Sequence, residues 1–309
     1  MKVFVTGGAG FIGSHVVDAY VVGGHEVVVV DDMSTGLEEN LNPKAKLIKL
    51  DVTDRGLDEI VESEKPELIN HHAAHIHVGK SVEDPGFDAG VNILGTINLM
   101  QAARKAGTVK KVIFASTGGA MYGNKQTPFD ESMMPQPLSP YGVSKRSAEL
   151  YLNFYKEQWG IGYVALRYAN VYGPRQNPYG EAGVVAIFCE RLLSGQQPVI
   201  NGDGKQTRDY VYVSDVVKAN MLAGNLGVTG EINIGTTRET SVNDIYELVR
   251  AKVDKDVEAR HGPPRPGEQQ TSSLKFDKAR EQLGWEPTME LSRGIEETVK
   301  FFQEKSDRR

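Results

Sequence analysis

Apolar and polar positions alternate along the first half of the chain in two rhythms. Short apolar, β-branched runs read as strands: KVFVT (2–6), HEVVVVDD (25–32), KLIKLDV (46–52), ELINHH (67–72) and KKVIFAS (110–116). Helical segments lie between them: FIGSHVVDAYVVGG (11–24), which closes on glycines, and stretches near 54–64 and 84–107. Near-continuous apolar strands alternating with helices predict a parallel sheet covered on both faces, a doubly wound α/β fold. A further helix is expected from SP (139–140) to about Trp159, and YVALRYANVYG (163–173) adds a strand. Beyond about 175 the rhythm breaks into Gly- and Pro-rich stretches at 173–183, 201–204 and 262–267. The chain therefore divides into a first unit, 1–172, and a smaller C-terminal region, 173–309. Pieces such as EINIG (231–235) are expected to rejoin the main sheet, so the boundary is not clean. The tail EKSDRR is expected to fray.

The 309 residues suffice for one large or two moderate domains with a sizeable core. A net charge of −6 without a long basic run argues against a nucleic-acid scaffold and leaves room for a local anion pocket. One cysteine, Cys189, permits no intrachain disulfide and fits a reducing compartment. No apolar run approaches the ~18 residues of a membrane span. MKVFVTGG enters a strand directly, without the length or flanks of a signal peptide, so a cytoplasmic location is expected.

Chemistry enters with TGGAGFIG, which places Gly7, Gly10 and Gly13 between the first strand and the first helix. Such a turn lets the backbone approach a pyrophosphate, and the helix start offers free N–H groups and partial positive charge. The strand–turn–helix context marks a Rossmann-type dinucleotide site in the first unit. The next strand ends in Asp31-Asp32, where a carboxylate can accept both ribose hydroxyls and would repel a 2′-phosphate. NAD is favoured over NADP, and no arginine stands adjacent.

In order along the chain follow HHAA (71–74), SVEDP with NILGT (81–96), YGVSK (141–145), LRYANVYGPRQ (166–176) and GDGKQTRDYVYVSD (202–215). Together with the glycine loop these motifs resemble the extended short-chain dehydrogenase/reductase family of nucleotide-sugar enzymes, and within it are most similar to the UDP-glucose 4-epimerases. The resemblance spans nearly the whole chain. It implies that Ala73 and Ala74 lie against the cofactor, flanked by His72 and His75. It also implies cofactor contacts from Phe11, Ile12, Ser34, Thr35, Gly36, Asp51, Val52, Asn92 and Tyr168.

The stretch NHHAAHIHVGKS (70–81) holds His71, His72, His75 and His77, a density that suggests a metal. His71 and His72 sit at a strand end and point to opposite faces, while His75 and His77 fall on the loop beyond. Zinc needs four converging ligands, and no cysteine or acidic partner is evident nearby, so no metal site is assigned. Where many epimerases carry a cofactor-contacting lysine this chain has Ile76; Lys80 is the nearest lysine.

YGVSK sets Tyr141 and Lys145 four residues apart, on one helix face. A tyrosine acting as base must ionise far below its free pKa of about 10; a nearby ammonium and a positive nicotinamide favour that. The resemblance adds a hydroxyl beside the tyrosine, Thr117 first and Ser116 second. Family dehydratases follow it with Asp-Glu; here stand Gly118 and Gly119, which removes the acid and base for elimination. On the substrate side it implies Asn170, Arg208 and Arg265 at a diphosphate, Gly183, Val184, Val199 and Asn201 around uridine, and Ser272 beside the sugar's 2-substituent.

The expected function is reversible C4 epimerisation of a UDP-hexose, UDP-glucose/UDP-galactose and also the N-acetylated pair, through a 4-keto sugar with NAD restored each cycle. The alternatives are another NAD-dependent nucleotide-sugar enzyme (a UDP-glucuronate epimerase, decarboxylase or dehydratase) or a non-catalytic NAD-binding regulator. A homodimer through helices 84–107 and 139–159 is implied.

Overall fold

The computed structural model describes residues 1–179, 183–225, 227–265 and 269–307. Its centre is a sheet of seven parallel strands: β1 (Lys2–Thr6), β2 (Glu26–Asp31), β3 (Lys46–Lys49), β4 (Leu68–His71), β5 (Lys111–Thr117), β6 (Gly162–Tyr168) and β7 (Gly230–Ile234). Their order is β7-β6-β5-β4-β1-β2-β3. The order reverses at β1, and in open α/β sheets ligands bind outside the carboxyl ends at that switch point.

The central strands β1 and β2 are apolar on both faces because both are covered. Val3, Val5, Val27 and Val29 pack on Val16, Val17 and Tyr20 of helix α1 (Phe11–Val22) and on Val216 and Ala219. Phe4, Val28 and Val30 face the other way, onto Leu57, Val61, Leu99, Met100 and Leu152. Fully burying one such side chain contributes ~1.5–3 kcal/mol. A separate cluster joins the helices Val184–Leu193, Val242–Val253 and Leu291–Asp307 through Phe188, Val249, Ile295 and Phe302.

Three expectations need adjusting. The run 163–173 is two strands, not one: β6 ends at Tyr168, and Asn170–Tyr172 pairs with Tyr210–Tyr212 outside the main sheet. Ala169 N instead bonds Ile234 O, at the end of the returning strand β7. The 84–107 segment is Pro85–Ala89, a wide π-type turn at Gly90–Leu94, then Gly95–Ala106. The last helix continues through Asp307, so the tail up to that residue is helical rather than frayed; Arg308 and Arg309 lie outside the described residues. Among the described residues no helix is long and apolar enough to cross a membrane.

Candidate active site

The parallel register aligns the strand ends: Thr6 beside Val30 and His71, and Thr117 beside Tyr168. Gly7 follows with φ +67°, and a Cβ there would lie 2.5 Å from Ala73 N and 2.7 Å from His72 C. Only glycine lets this turn press against the HHAA backbone. At Gly13 a Cβ would lie 2.2 Å from Gly7 O, so helix and loop also need a bare backbone. Gly10 caps α1 without a side-chain acceptor, leaving its first-turn amides to face a ligand.

Asp31 is buried, its Oδ2 accepting from Ala9 N and Oδ1 from Met33 N, both at 2.9 Å. Burial raises its carboxyl pKa, with the two backbone bonds opposing. Asp32 is exposed and accepts from Ser34 N and Oγ, so it shapes its own turn. Thr35 is also exposed, whereas Gly36 packs against Ala9 and Asp31. Asp51 closes a turn onto Thr53, and buried Val52 lies against Gly95. The glycine cradle, the open helix start and one buried carboxylate fit an NAD-type dinucleotide.

The histidines separate into two roles. His71 is enclosed between hydroxyls, Nδ1 2.6 Å from Thr6 Oγ1 and Nε2 3.1 Å from Thr96 Oγ1. Burial, reinforced by the Lys145 charge, pushes its imidazole down to about 3. His72 stacks on Tyr168 (centroids 6.5 Å apart), and its Nε2 has no hydrogen-bond partner among the described residues. The Tyr168 hydroxyl accepts from Asn220 Nδ2 at 2.8 Å. His75 instead bonds Asp88, and its ring lies 5.8 Å from that of His77. Among the described residues no three His, Cys, Asp or Glu side chains could hold a metal. Lys80 and Ile76 are exposed.

The His71 environment has a measurable consequence. Between pH 6.5 and about 3 the unfolded chain takes up a proton that folded His71 refuses. Stability therefore rises with pH through that window and is lost as pH falls. His71→Asn is expected to flatten the slope of unfolding free energy against pH by up to ~1.4 kcal/mol per pH unit relative to the wild type. Denaturant titrations at several pH values read this directly; parallel slopes would contradict it.

The helix Pro140–Trp159, capped by Ser139 with proline at its first position, presents Tyr141 and Lys145 to the end of β5. The Tyr141 phenol is hydrogen-bonded to the Thr117 side chain. Burial pushes the phenol up to about 12; the Thr117 bond opposes this and the Asp88 charge adds to it. Lys145 is 2% exposed, donates to Ala115 O at 3.0 Å and lies 4.7 Å from the Phe114 ring centroid. Burial pushes the ammonium down to about 8, against the Asp88 and Glu149 charges. Lys145 spends one of its three N–H donors on Ala115 O, while burial raises the Tyr141 phenol in the bare pocket, Thr117 opposing and Asp88 adding to it. Ser116 is turned away, donating to Glu149 Oε1 at 2.7 Å, so Thr117 is the hydroxyl at the tyrosine.

Asn92 was expected from its motif, but the residues that hold it and the turn at Tyr141 (Asp88, Ser144 and Ser81), and Asp209 beside Arg208, were not. Asn92, 2% exposed, donates to Ser144 Oγ (3.0 Å), to His75 O (3.0 Å) and to Asp88 Oδ1 (3.2 Å). Ser144 in turn donates to Tyr141 O, and Ser81 Oγ accepts from Tyr141 N. The four-residue spacing from Asp88 to Asn92 was the available signal. Asp209, next to Arg208, accepts from Thr236, Thr237 and Leu274 amides. Burial pushes its carboxyl up to about 6.

Gly118 and Gly119 face different surroundings. A Cβ at Gly118 would lie 2.3 Å from Leu274 Cδ1, whereas one at Gly119 would meet only Asn170 Oδ1 and Ser272 Oγ, each at 3.9 Å. Asn170 and Ser272 thus flank the loop carrying Thr117. Thr207 N bonds Gln270 O, tying the Arg208 strand to the segment that leads to Ser272. Arg208 is half-buried and donates to Thr207 O. Gly183 caps the helix that Val184 opens, and Val199 and Asn201 pair with Arg260 and Gly262. Arg265 is exposed. Glu181 and Ala182, just before Gly183, and Pro266–Glu268, just after Arg265, lie outside the described residues.

Residues 3–235 match the model of the NAD dependent epimerase/dehydratase family. The chain belongs to that family. Among its members, the UDP-glucose 4-epimerase of Mycolicibacterium smegmatis is 46% identical, over 99% of this chain and 100% of that protein. The solved UDP-glucose 4-epimerase of Thermotoga maritima with UDP-glucose superposes with a TM-score of 0.95 at 47% identity, covering 99% of this chain and 100% of that one. The Thermus thermophilus UDP-glucose 4-epimerase complex with NAD gives 0.94 at 41% identity, covering 98% and 99%.

Proposed function

We propose that the protein is an NAD-dependent UDP-hexose 4-epimerase. The observation that carries the reading is the Tyr141 phenol bonded to Thr117, with glycines where elimination chemistry needs acids. The named activities of the relatives support it. When bound, NAD supplies reversible hydride acceptance at the sugar's C4. The glycine loop and α1 hold its diphosphate, Asp31 its adenosine ribose, and Lys145 its nicotinamide ribose. Tyr141 takes the O4 proton and later returns it. Its phenol resists ionisation in the bare pocket, so loss of the proton depends on positive charge brought by the cofactor. Thr117 steadies the phenolate by hydrogen bonding. Asn170, Arg208 and Arg265 receive the UDP diphosphate, and Gly183, Val184, Val199 and Asn201 enclose the uridine.

Leu274 fills the space beside Gly118, which supports epimerisation over dehydration. The retained Tyr141 and Lys145 oppose a purely regulatory role. Val143, Leu150, Tyr151 and Phe154 form an exposed stripe on one helix, and Phe87 and Leu94 on another; a homodimer through these faces is part of the proposal. So is a cytoplasmic location, where the reduced, buried Cys189 is stable.

Incubation with UDP-galactose and NAD should yield UDP-glucose; absence of conversion with NAD bound would move the reading to another nucleotide sugar. Ser272 leaves room for a 2-acetamido group, so UDP-GalNAc should also be converted. Ser272→Tyr is expected to lower that activity by about 100-fold, through overpacking around the N-acetyl group, and to spare UDP-galactose. Equal loss of both would count against the open pocket.

A further inference from the structure

Asp88 plays no part in the mechanism above. It is fully buried, on the short helix Pro85–Ala89, four residues before Asn92. Its Oδ1 accepts from His75 Nδ1 at 2.9 Å and from Asn92 Nδ2 at 3.2 Å. Its Oδ2 has no hydrogen-bond partner among the described residues. A carboxylate oxygen withdrawn from water and left unpaired is costly, so favourable charge nearby must offset it.

The geometry shows where that charge lies. Asn92 donates to Ser144 Oγ at 3.0 Å, and Ser144 stands between Tyr141 and Lys145 on their shared turn, donating to Tyr141 O at 2.9 Å. Asp88 is therefore two hydrogen bonds from the turn bearing both residues. Its charge raises the pKa of Lys145 and of Tyr141. The second effect opposes formation of the base, so Asp88 is not a device for ionising the tyrosine. Its favourable partners are cations: the His75 imidazole at 2.9 Å whenever that ring is protonated, the Lys145 ammonium and, on the reading above, the oxidised nicotinamide, which is positive only until it accepts hydride. His75 seals the carboxylate from solvent, its side chain 11% exposed against 0% for Asp88.

We propose that Asp88 is a buried counter-charge that holds the bound cofactor in its oxidised form. A fixed negative charge in a low-dielectric pocket favours the positive nicotinamide over the neutral one. It thereby favours return of the hydride to the sugar and keeps the site from stalling on reduced cofactor. The inference rests on the epimerase reading.

The test is a comparison of affinities in cofactor-free protein, needing no turnover. Wild type, Asp88→Asn, Asp88→Ser and Ser144→Ala are titrated calorimetrically with NAD⁺ and, separately, with NADH at fixed pH and salt. Asp88→Asn is expected to raise the preference for NADH over NAD⁺ by about tenfold, the order of effect of removing one buried charge. Asp88→Ser should shift it the same way and decides the matter if the asparagine variant does not fold. Ser144→Ala breaks the hydrogen-bonded path but keeps the charge, so its ratio should match the wild type within about twofold. An unchanged ratio in the Asp88 variants, equal weakening of both ligands, or the same shift in Ser144→Ala would overturn the proposal. If the wild type binds and epimerises normally in those cases, the epimerase reading stands; if it binds neither cofactor form, both fall.

Discussion

Tyr141→Phe is expected to lower kcat by about 10³-fold, the usual worth of a positioned general acid–base. The substitution removes one oxygen from a side chain whose ring stays buried, so NAD affinity should change by no more than about threefold. The phenol's hydrogen bond is to Thr117, and its pKa in the bare pocket is about 12. Among the described residues, two other polar groups near the end of β5 are engaged elsewhere. Lys145 points at Ala115 O, and Ser116 is held by Glu149. Steady-state kinetics with UDP-galactose, together with NAD titration of both proteins, checks the split. A variant keeping a tenth or more of the activity would show that the proton leaves by another route.

The second large effect concerns stability. Glu149 is fully buried on the same helix as Tyr141, and its carboxylate is bidentate with Arg167 of β6, at 2.9 and 2.7 Å. Ser116 Oγ and Arg146 complete its partners. Arg167 is 2% exposed and also donates to Tyr122. Glu149→Ala strands that guanidinium in the interior. Removing one partner of a buried pair costs about 3–5 kcal/mol because the remaining charge is left without compensation. Denaturant unfolding should show a loss of that size. Glu149→Gln, which keeps the shape and some of the hydrogen bonds, should lose less. A loss below about 1 kcal/mol would mean water reaches Arg167. The same contact ties the helix carrying Tyr141 and Lys145 to the strands beneath it, so stability and active-site geometry have a common support.

Local patterns made the sheet legible. Runs such as VFV and VVVV are apolar at every position because both faces are covered, and the glycine loop falls between strand and helix, where its chemistry requires it. The break at Ala169 was not legible, because 163–173 is evenly strand-like and only the arrival of β7 and of Tyr210–Tyr212 divides it. At the site, side chains announced by motif could be located: the Gly7 turn, Tyr141, Lys145, Thr117. What holds them was hidden. Asp88, Ser144 and Glu149 are polar residues on helices, and a helical pattern cannot say which polar face is buried against another polar face. The surroundings of each ring in the histidine stretch were hidden for the same reason. Four neighbours in sequence proved to be one ring enclosed by threonine hydroxyls, one stacked on Tyr168, one on the Asp88 carboxylate and one tilted against that third ring.

Inversion by this route needs hydride to leave and return to the same carbon. UDP-galactose carrying deuterium at C4, incubated with the protein and unlabelled NAD, tests this directly by NMR of the two epimers. UDP-glucose should form with deuterium still at C4 and with no accumulation of reduced cofactor. Epimerisation with loss of the label to water would contradict it, because the inversion would then proceed by proton exchange at carbon rather than by hydride transfer.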